Sequence, residues 1–182
     1  MQYGIGRMFI EDHDELFYLM MYNEALPMPP RPELPDLKEG VIRGGYCLEA
    51  AVGEGPRINV LGSGTILFEV IEAASRLRQE GFDVAVYSIT SYIELARDAE
   101  RASQSNGTSW LSHLFDETSV PTVAASDYVR TLPRMIASWV PGPMVALGTD
   151  GFGMSERREA LRAHFQIDAH AIAEAARSLV NA

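Results

Sequence analysis

Apolar positions alternate between short runs and helically spaced sets from residue 57 onwards. Four short apolar runs, bounded by turn residues, predict strands at 57–61, 84–89, 120–125 and 143–147. Between them, apolar side chains recur every three or four residues, which predicts helices. Alternating strands and helices indicate an α/β fold, with a mostly parallel sheet and helices on both faces.

The predicted helices carry recognisable end signals. Residues 65–80 form an amphipathic set, and Gly81 suits the left-handed position that follows a helix. Ser91 is the predicted N-cap of a helix over 93–101. The remaining helices are predicted over 127–139, although Pro133 disfavours this one, over 155–164 with Ser155 as cap, and over 168–180 with Asp168 as cap.

A fifth strand is predicted at 45–51. The Gly- and Pro-containing turn at 52–56 separates it from the strand at 57–61, and here the pattern favours a hairpin. We therefore expect a three-layer α/β/α domain around a five-stranded, mostly parallel sheet, with the strand near 45–51 antiparallel at its edge.

The first thirty-odd residues have a different pattern. Residues 1–12 predict a short helix, and the uninterrupted apolar run at 16–22 predicts a strand buried on both faces, as in a parallel sheet. Residues 27–35 are then rich in proline, which excludes a helix or a central strand there. This stretch is typical of an extended linker and predicts a domain boundary.

Charge and cysteine content narrow the class of protein. The formal net charge of the 182 residues is -10, which argues against binding nucleic acid or an anionic membrane through the overall field. The single cysteine, Cys47, excludes an internal disulfide and indicates a reducing compartment. No apolar run reaches membrane-spanning length, and residues 1–15 do not resemble a signal peptide, so we expect a cytoplasmic protein.

Two turns that follow predicted strands are candidate sites. The Gly-Ser-Gly stretch at 62–64 either cradles an anion at a helix N-terminus or makes a tight turn that lets the helix approach the sheet. In the stretch at 147–153, Asp150 either orients a substrate or lies at a subunit interface, or forms an Asx turn that organises the loop. The two glycines beside Phe152 suggest an aromatic ring anchored in a tight space.

A third candidate lies before the linker. Asn23 and Glu24 follow the predicted buried strand, where polar residues either form a site or cap the exposed linker. Cys47 is interpreted as a buried apolar residue. The histidines lack metal-ligand spacing and no GxSxG nucleophile elbow occurs, so neither a metal site nor a serine hydrolase is predicted.

Several stretches, in order along nearly the whole chain, resemble the C-terminal region of homodimeric-type pyruvate dehydrogenase E1 components. The most specific are Ser-Tyr-Ile-Glu-Leu-Ala-Arg-Asp at 91–98 and Leu-Gly-Thr-Asp-Gly-Phe-Gly at 147–153. The others are Tyr-Asn-Glu at 22–24, the stretch at 39–46, Leu-Gly-Ser-Gly at 61–64, the stretch at 123–128, His-Phe at 164–165, and Asp168.

The resemblance implies a transketolase C-terminal domain over 40–182, preceded by the linker 32–39 and by the last helix and strand of a pyrimidine-binding domain over 1–31. It implies decarboxylation of pyruvate on thiamine diphosphate and Mg²⁺, then reductive acetylation of a lipoyl group on the E2 acyltransferase, between glycolysis and acetyl-CoA. Asn23 and Glu24 become candidate catalytic residues, and Asp150 and Phe152 candidates for a substrate or interface loop. A homodimer or other homo-oligomer is expected.

The family's diphosphate motif, metal ligands and cofactor-activating glutamate lie upstream of the resembling region. We therefore expect this chain to contain no cofactor or metal ligand, to need the remainder of E1, and to be inactive alone. Pro27 stands where some members carry a histidine, so that acid–base role is absent or filled elsewhere, and a related 2-oxo acid such as 2-oxobutyrate stays open.

Two other functions stay open. The chain could be a non-enzymatic module that dimerises or docks a partner. A transketolase fragment acting on sugar phosphates is less favoured, because only Arg43 and Arg97 are placed to bind phosphate.

Overall fold

The structure is a computed structural model that describes residues 1–22, 25–27, 30–115 and 119–181, in two units, Met1–Pro35 and Asp36–Ala182. The first unit begins with helix α1, Gln2–Ile5, which continues as a π-helical turn over Gly6–Ile10. The predicted N-terminal helix is thus confirmed. Arg7 closes this turn, because its guanidinium donates to both Glu11 and Glu15.

The predicted strand at 16–22 is not formed, since these residues have no regular secondary structure. A strand needs a neighbour to pair its backbone groups, and the described part of the first unit contains no strand. The two units divide between residues 35 and 36, inside the predicted linker 32–39. Residues 37–39 of that linker are helical.

A five-stranded sheet organises the second unit. Its strands are β1, Gly45–Glu49; β2, Arg57–Ser63; β3, Asp83–Ile89; β4, Thr122–Ala125; and β5, Met144–Leu147. Their spatial order is β1-β3-β2-β4-β5. The pairs β2–β3, β2–β4 and β4–β5 are parallel, and β1 is antiparallel to β3 at the edge. The predicted fold class is confirmed.

Seven helices lie in the described part of this unit. They are α2, Leu37–Arg43; α3, Ile66–Gln79; α4, Tyr92–Ser105; α5, Trp110–Leu114; α6, Thr131–Arg134; α7, Arg158–His164; and α8, Ala169–Val180. The caps predicted at Ser91 and Asp168 are confirmed, because each side chain accepts the backbone N–H three residues on. Ser155 is not a cap, since α7 begins at Arg158.

The predicted hairpin between β1 and β2 is wrong, because β3 lies between these strands. The connection from β1 to β2 passes across the start of β3, where the Asp83 carboxylate accepts the Gly53 N–H at 2.7 Å. The β2–α3–β3 unit makes the usual crossover to a parallel neighbour, which leaves β1 only the outer edge of β3. The residues of the turn at 52–56 are typical of a hairpin, but the β2–α3–β3 crossover decides which strand β1 pairs with.

Alternate residues of the strands bury opposite faces of the sheet. On one face Ile58, Val60 and Val123 pack with α3 and α8. On the other face Leu61 and Tyr87 pack with α4 and α5. This alternation produces the three layers. Because β2, β4 and β5 are parallel, their carboxyl ends lie at the same edge of the sheet.

Two tyrosines buried on the face of the sheet that packs with α4 and α5 differ in whether their hydroxyl groups are hydrogen-bonded. The Tyr87 hydroxyl donates to Leu114 O at 3.2 Å, whereas the Tyr92 hydroxyl has no hydrogen-bond partner among the described residues. Burial also raises the pKa of Tyr92 above its ordinary value.

We expect Tyr92→Phe to raise the free energy of unfolding by about 1 kcal/mol, because it removes a buried polar group without a partner. Tyr87→Phe, the matched change, is expected to lower it by a similar amount, since it removes a hydrogen bond. Urea unfolding of both variants measures the difference. A loss of stability in Tyr92→Phe would show that its hydroxyl is satisfied.

Candidate functional site

The candidate site lies at the carboxyl ends of β2 and β4. From β2 the chain crosses to β3 on one side of β2, and it later returns to β4 on the other side of β2. The direction of winding therefore reverses between β2 and β4. Open α/β sheets bind ligands outside the strand ends at such a point. The residues that follow β2, β4 and β5 therefore define the site.

The turn after β2 brings helix α3 close to the sheet. A β-carbon on Gly62 would lie 2.9 Å from Leu67 Cα, and Gly64 has φ +56°, a left-handed conformation. The tight-turn interpretation of the Gly-Ser-Gly stretch is therefore confirmed.

Hydroxyl groups join the ends of β2 and β4. The Ser63 hydroxyl donates to Ser126 Oγ at 3.1 Å, and the Thr65 hydroxyl donates to Asp127 Oδ2 at 2.7 Å. Ser126 Oγ also accepts the Tyr128 N–H. Ser126 and Thr65 are buried, so these bonds are shielded from water and fix the two strand ends relative to each other.

An ion pair extends this network from α3 to α7 and α8. Arg162 Nη1 donates to Glu69 Oε1 at 2.8 Å, and Arg162 Nη2 donates to the Thr65 hydroxyl at 3.1 Å. The second Glu69 oxygen accepts the Ala169 N–H at the start of α8. Arg162 Nε is buried without a partner among the described residues, so this guanidinium depends on the contacts of its two terminal nitrogens.

The loop after β5 packs on the loop after β4. Thr149 N donates to Tyr128 O at 2.9 Å, and the Thr149 hydroxyl donates to Asp127 O at 2.6 Å. The Asp150 carboxylate accepts the Arg130 N–H at 2.8 Å and forms an ion pair with the Arg130 guanidinium. Asp150 thus organises the junction of two loops, and its role towards a substrate or subunit stays a prediction.

Phe152 is 95% exposed, so the predicted anchoring of its ring in a tight space is wrong. A β-carbon on the neighbouring Gly153 would meet nothing within 4 Å, which shows that the loop tip is open. Met154, Tyr128 and Val129 are exposed on the same pair of loops. We call these four residues the rim patch.

The other predicted residues lie elsewhere. Asn23 and Glu24 are outside the described residues, and their catalytic role stays a prediction. Cys47 on β1 is half-buried rather than buried, and burial raises the pKa of its thiol.

Within the described ranges, no group of three His, Cys, Asp or Glu side chains could hold a metal ion. None of the helices described is long and apolar enough to cross a membrane.

Sequence reasoning missed the network around Glu69 and Arg162. These residues lie 93 positions apart, and no local pattern links them. Ser126 and Asp127 carried a usable signal, since they are polar residues directly after the apolar run of β4. The hydrogen bonds and the Glu69–Arg162 ion pair connect the residues at the carboxyl ends of the strands, whereas the rim patch is exposed to solvent.

Comparison with known proteins identifies the domain. A family model described as "Transketolase-like TK C-terminal domain" matches residues 44–168. Among solved structures, the chain superposes on a transketolase from Leishmania mexicana with a TM-score of 0.56 at 22% identity, covering 79% of this chain and 19% of that one. A transketolase from Campylobacter jejuni gives 0.58 at 16% identity, covering 81% and 20%. These structures show the shared fold.

Curated relatives are more similar in sequence. The chain is 37% identical to the pyruvate dehydrogenase E1 component of Corynebacterium glutamicum over 93% of its length, and 36% identical to that of Escherichia coli over 95%. It spans only about a fifth of their length, 19% and 20% respectively. Because the family model alone covers more than half of the chain, the chain belongs to the transketolase-like C-terminal domain family, and its homologues are pyruvate dehydrogenase E1 components.

Proposed function

We propose that the chain is the C-terminal part of a cytoplasmic E1 component that acts on pyruvate or a related 2-oxo acid. The observation that carries this proposal is the breadth of the similarity. The matches to E1 components cover 91–98% of the chain, well beyond the domain at 44–168. Both units therefore share their ancestry with E1, rather than the second unit alone.

The same breadth supports the proposed domain organisation. Residues 40–182 are the transketolase C-terminal domain, and residues 1–31 are the end of a pyrimidine-binding domain, joined by the linker 32–39. In this arrangement the chain contributes to dimerisation and completes an active site, and E2 with its lipoyl group is the partner that receives the acyl group.

Thiamine diphosphate and Mg²⁺ are proposed to be held by the remainder of E1. Among the described residues no three ligating side chains come together, which supports assigning the metal to the remainder of E1. Asn23 and Glu24 are the proposed contribution of this chain to catalysis. Pro27 has no titratable group, so a proton donor, where the reaction needs one, comes from outside this position.

The test is a pair of measurements. Residues 1–182 alone are expected to show no saturable binding of thiamine diphosphate by calorimetry. A fusion in which these residues replace the matching segment of the C. glutamicum E1 component is expected to decarboxylate 2-oxo acids. Decarboxylation by the isolated chain would contradict the proposal, and so would an inactive fusion that is correctly folded.

The rim patch favours a second candidate, a non-enzymatic docking module. Exposed apolar side chains clustered on two adjoining loops are typical of a contact surface. This candidate predicts that the folded fusion has no activity, so the same experiment separates the two functions.

A further inference from the structure

We infer that Asn106 is a site of spontaneous covalent modification, at which deamidation through a succinimide converts the asparagine to aspartate and isoaspartate. The end of helix α4 controls the rate, because the reacting backbone N–H is hydrogen-bonded until that end opens. Water is the only reagent. The modification therefore needs neither a cofactor nor the remainder of E1, and the inference does not depend on the proposed function.

The residue after Asn106 is glycine, which has no β-carbon to obstruct attack on the preceding side chain. The Gly107 nitrogen loses its proton and attacks Cγ of Asn106. A bond forms between these two atoms, the bond from Cγ to Nδ2 breaks, and Nδ2 leaves as ammonia. Water then opens the ring at Cγ, which gives aspartate, or at the main-chain carbonyl of Asn106, which gives isoaspartate with the chain running through Cγ.

The Asn106 side chain is accessible to this reaction. Both Asn106 and Gly107 are exposed to solvent at the end of α4. Within the part of the chain that the structure describes, no hydrogen bond joins the Asn106 carboxamide to another residue. The carbon atom that is attacked is therefore unshielded, and water can reach the succinimide once it has formed.

The backbone of Gly107 restrains the reaction. Its N–H donates to Ala102 O at 2.9 Å, in a bond that closes the last turn of α4. Asn106 has φ +53° and ψ +31°, the left-handed conformation in which asparagine often ends a helix. The nitrogen keeps its proton while this bond is made, so the reaction proceeds from the molecules in which the end of α4 has opened. Hydrogen exchange at Gly107 needs the same opening and the same loss of a proton.

A second residue followed by glycine shows how the contacts select Asn106. Asp150 precedes Gly151 and can form the same ring in principle. Its carboxylate, however, accepts the Arg130 N–H at 2.8 Å and forms an ion pair with the Arg130 guanidinium. A carboxylate is a much poorer electrophile than a carboxamide, and these contacts also fix its position. Asp150 is therefore expected to stay unmodified while Asn106 reacts.

The isoaspartyl product lengthens the backbone between α4 and α5 by one carbon atom. Helix α5 begins at Trp110, whose N–H donates to Asp98 Oδ2 at 2.6 Å and whose ring stacks 4.9 Å from the Arg43 guanidinium. Trp110 is buried, so this short connection cannot take up the additional atom without a shift. We expect isoaspartate at 106 to loosen the bond between Trp110 and Asp98, whereas aspartate leaves the backbone length unchanged.

Peptide mapping by mass spectrometry tests the site, with the 182-residue chain incubated at neutral pH either folded or unfolded in urea. Asn106 is expected to convert at least about tenfold more slowly in the folded chain, by the same factor that protects the Gly107 amide from hydrogen exchange. Equal rates in the two samples would overturn the control by α4. Faster conversion at Asp150, or none at Asn106 while Gly107 exchanges, would overturn the assignment of the site.

Two variants test the mechanism without urea. Gly107→Ala keeps the N–H, and its β-carbon meets only the Ser105 hydroxyl at 3.2 Å, which can rotate away, so the fold is retained. The added methyl group obstructs attack and is expected to slow conversion about tenfold. Ala102→Gly weakens the last turn of α4, so conversion of Asn106 and exchange at Gly107 are both expected to be about fivefold faster. Unchanged conversion in the first variant, or faster exchange without faster conversion in the second, would overturn the mechanism.

Amide exchange at Trp110 tests the effect of the product. In the purified isoaspartyl chain this amide is expected to exchange at least about tenfold faster than in the freshly prepared chain. Asn106→Asp is the matched control, because it carries the charge without the additional carbon, and its acceleration is expected to be at most about threefold. Unchanged exchange in the isoaspartyl chain, or equal acceleration in Asn106→Asp, would overturn the effect of backbone length.

Discussion

Replacing Gly148 with alanine is expected to lower the free energy of unfolding of the second unit by about 1–3 kcal/mol, the usual cost of forcing extra atoms into a packed site. A β-carbon at this position would lie 2.5 Å from Arg130 N and closer still to Tyr128 O. Both atoms are backbone and cannot rotate away. The loops after β4 and β5 must therefore separate, which strains the bonds that join Thr149 and Asp150 to them.

The matched control is Gly153→Ala in the same loop. A β-carbon there meets nothing within 4 Å and φ is not positive, so stability should change by less than about 0.5 kcal/mol. Both tryptophans, Trp110 and Trp139, lie in the second unit, and their fluorescence follows its unfolding in urea. Equal stability of the two variants would mean that the loops tolerate separation.

Glu69→Ala is expected to have the largest effect, a loss of about 3 kcal/mol, which is the low end of the range for breaking a buried ion pair. The Arg162 side chain is only 13% exposed, and its Nε already lacks a partner among the described residues. Removing the carboxylate leaves this charge with the Thr65 hydroxyl, and Ala169 N at the start of α8 loses its acceptor.

Glu72→Ala, three residues along the same helix, is the control. Its ion pair with Arg76 is exposed on both sides, so a change of at most about 0.5 kcal/mol is expected. Thermal and urea unfolding of both variants measure the contrast. Similar losses for Glu69 and Glu72 would show that the burial of the Glu69–Arg162 pair does not account for the effect.

The pattern of apolar residues predicted most of the fold. It located all five strands of the second unit because each is a short apolar run, and it located the caps at Ser91 and Asp168 because capping is a local interaction. It failed for α2, whose first three residues were assigned to the linker, and for α5. Both helices are too short to show a clear periodicity. Of the predicted helix over 127–139, only Thr131–Arg134, which includes Pro133, is α-helical.

Long-range contacts explain the remaining failures. The hairpin prediction relied on the turn at 52–56, but the pairing partner of β1 lies some forty residues further along the chain. The segment at 16–22 matched the pattern of a strand, and the described part of the first unit contains no neighbour for it. At the candidate site, the tight turn at 62–64 could be predicted from its glycines, whereas the Glu69–Arg162 ion pair joins residues 93 positions apart.

The strand order has a consequence for folding during synthesis. The β2–α3–β3 unit is local in sequence and can form as soon as residue 89 has left the ribosome. The opposite edge of β2 then waits for β4, because Asn59 pairs with Thr122, 63 residues later. Throughout that interval an apolar strand edge is open to other nascent chains. A pause in translation before residue 122 would therefore promote aggregation, and a chaperone acting at that stage would protect this edge.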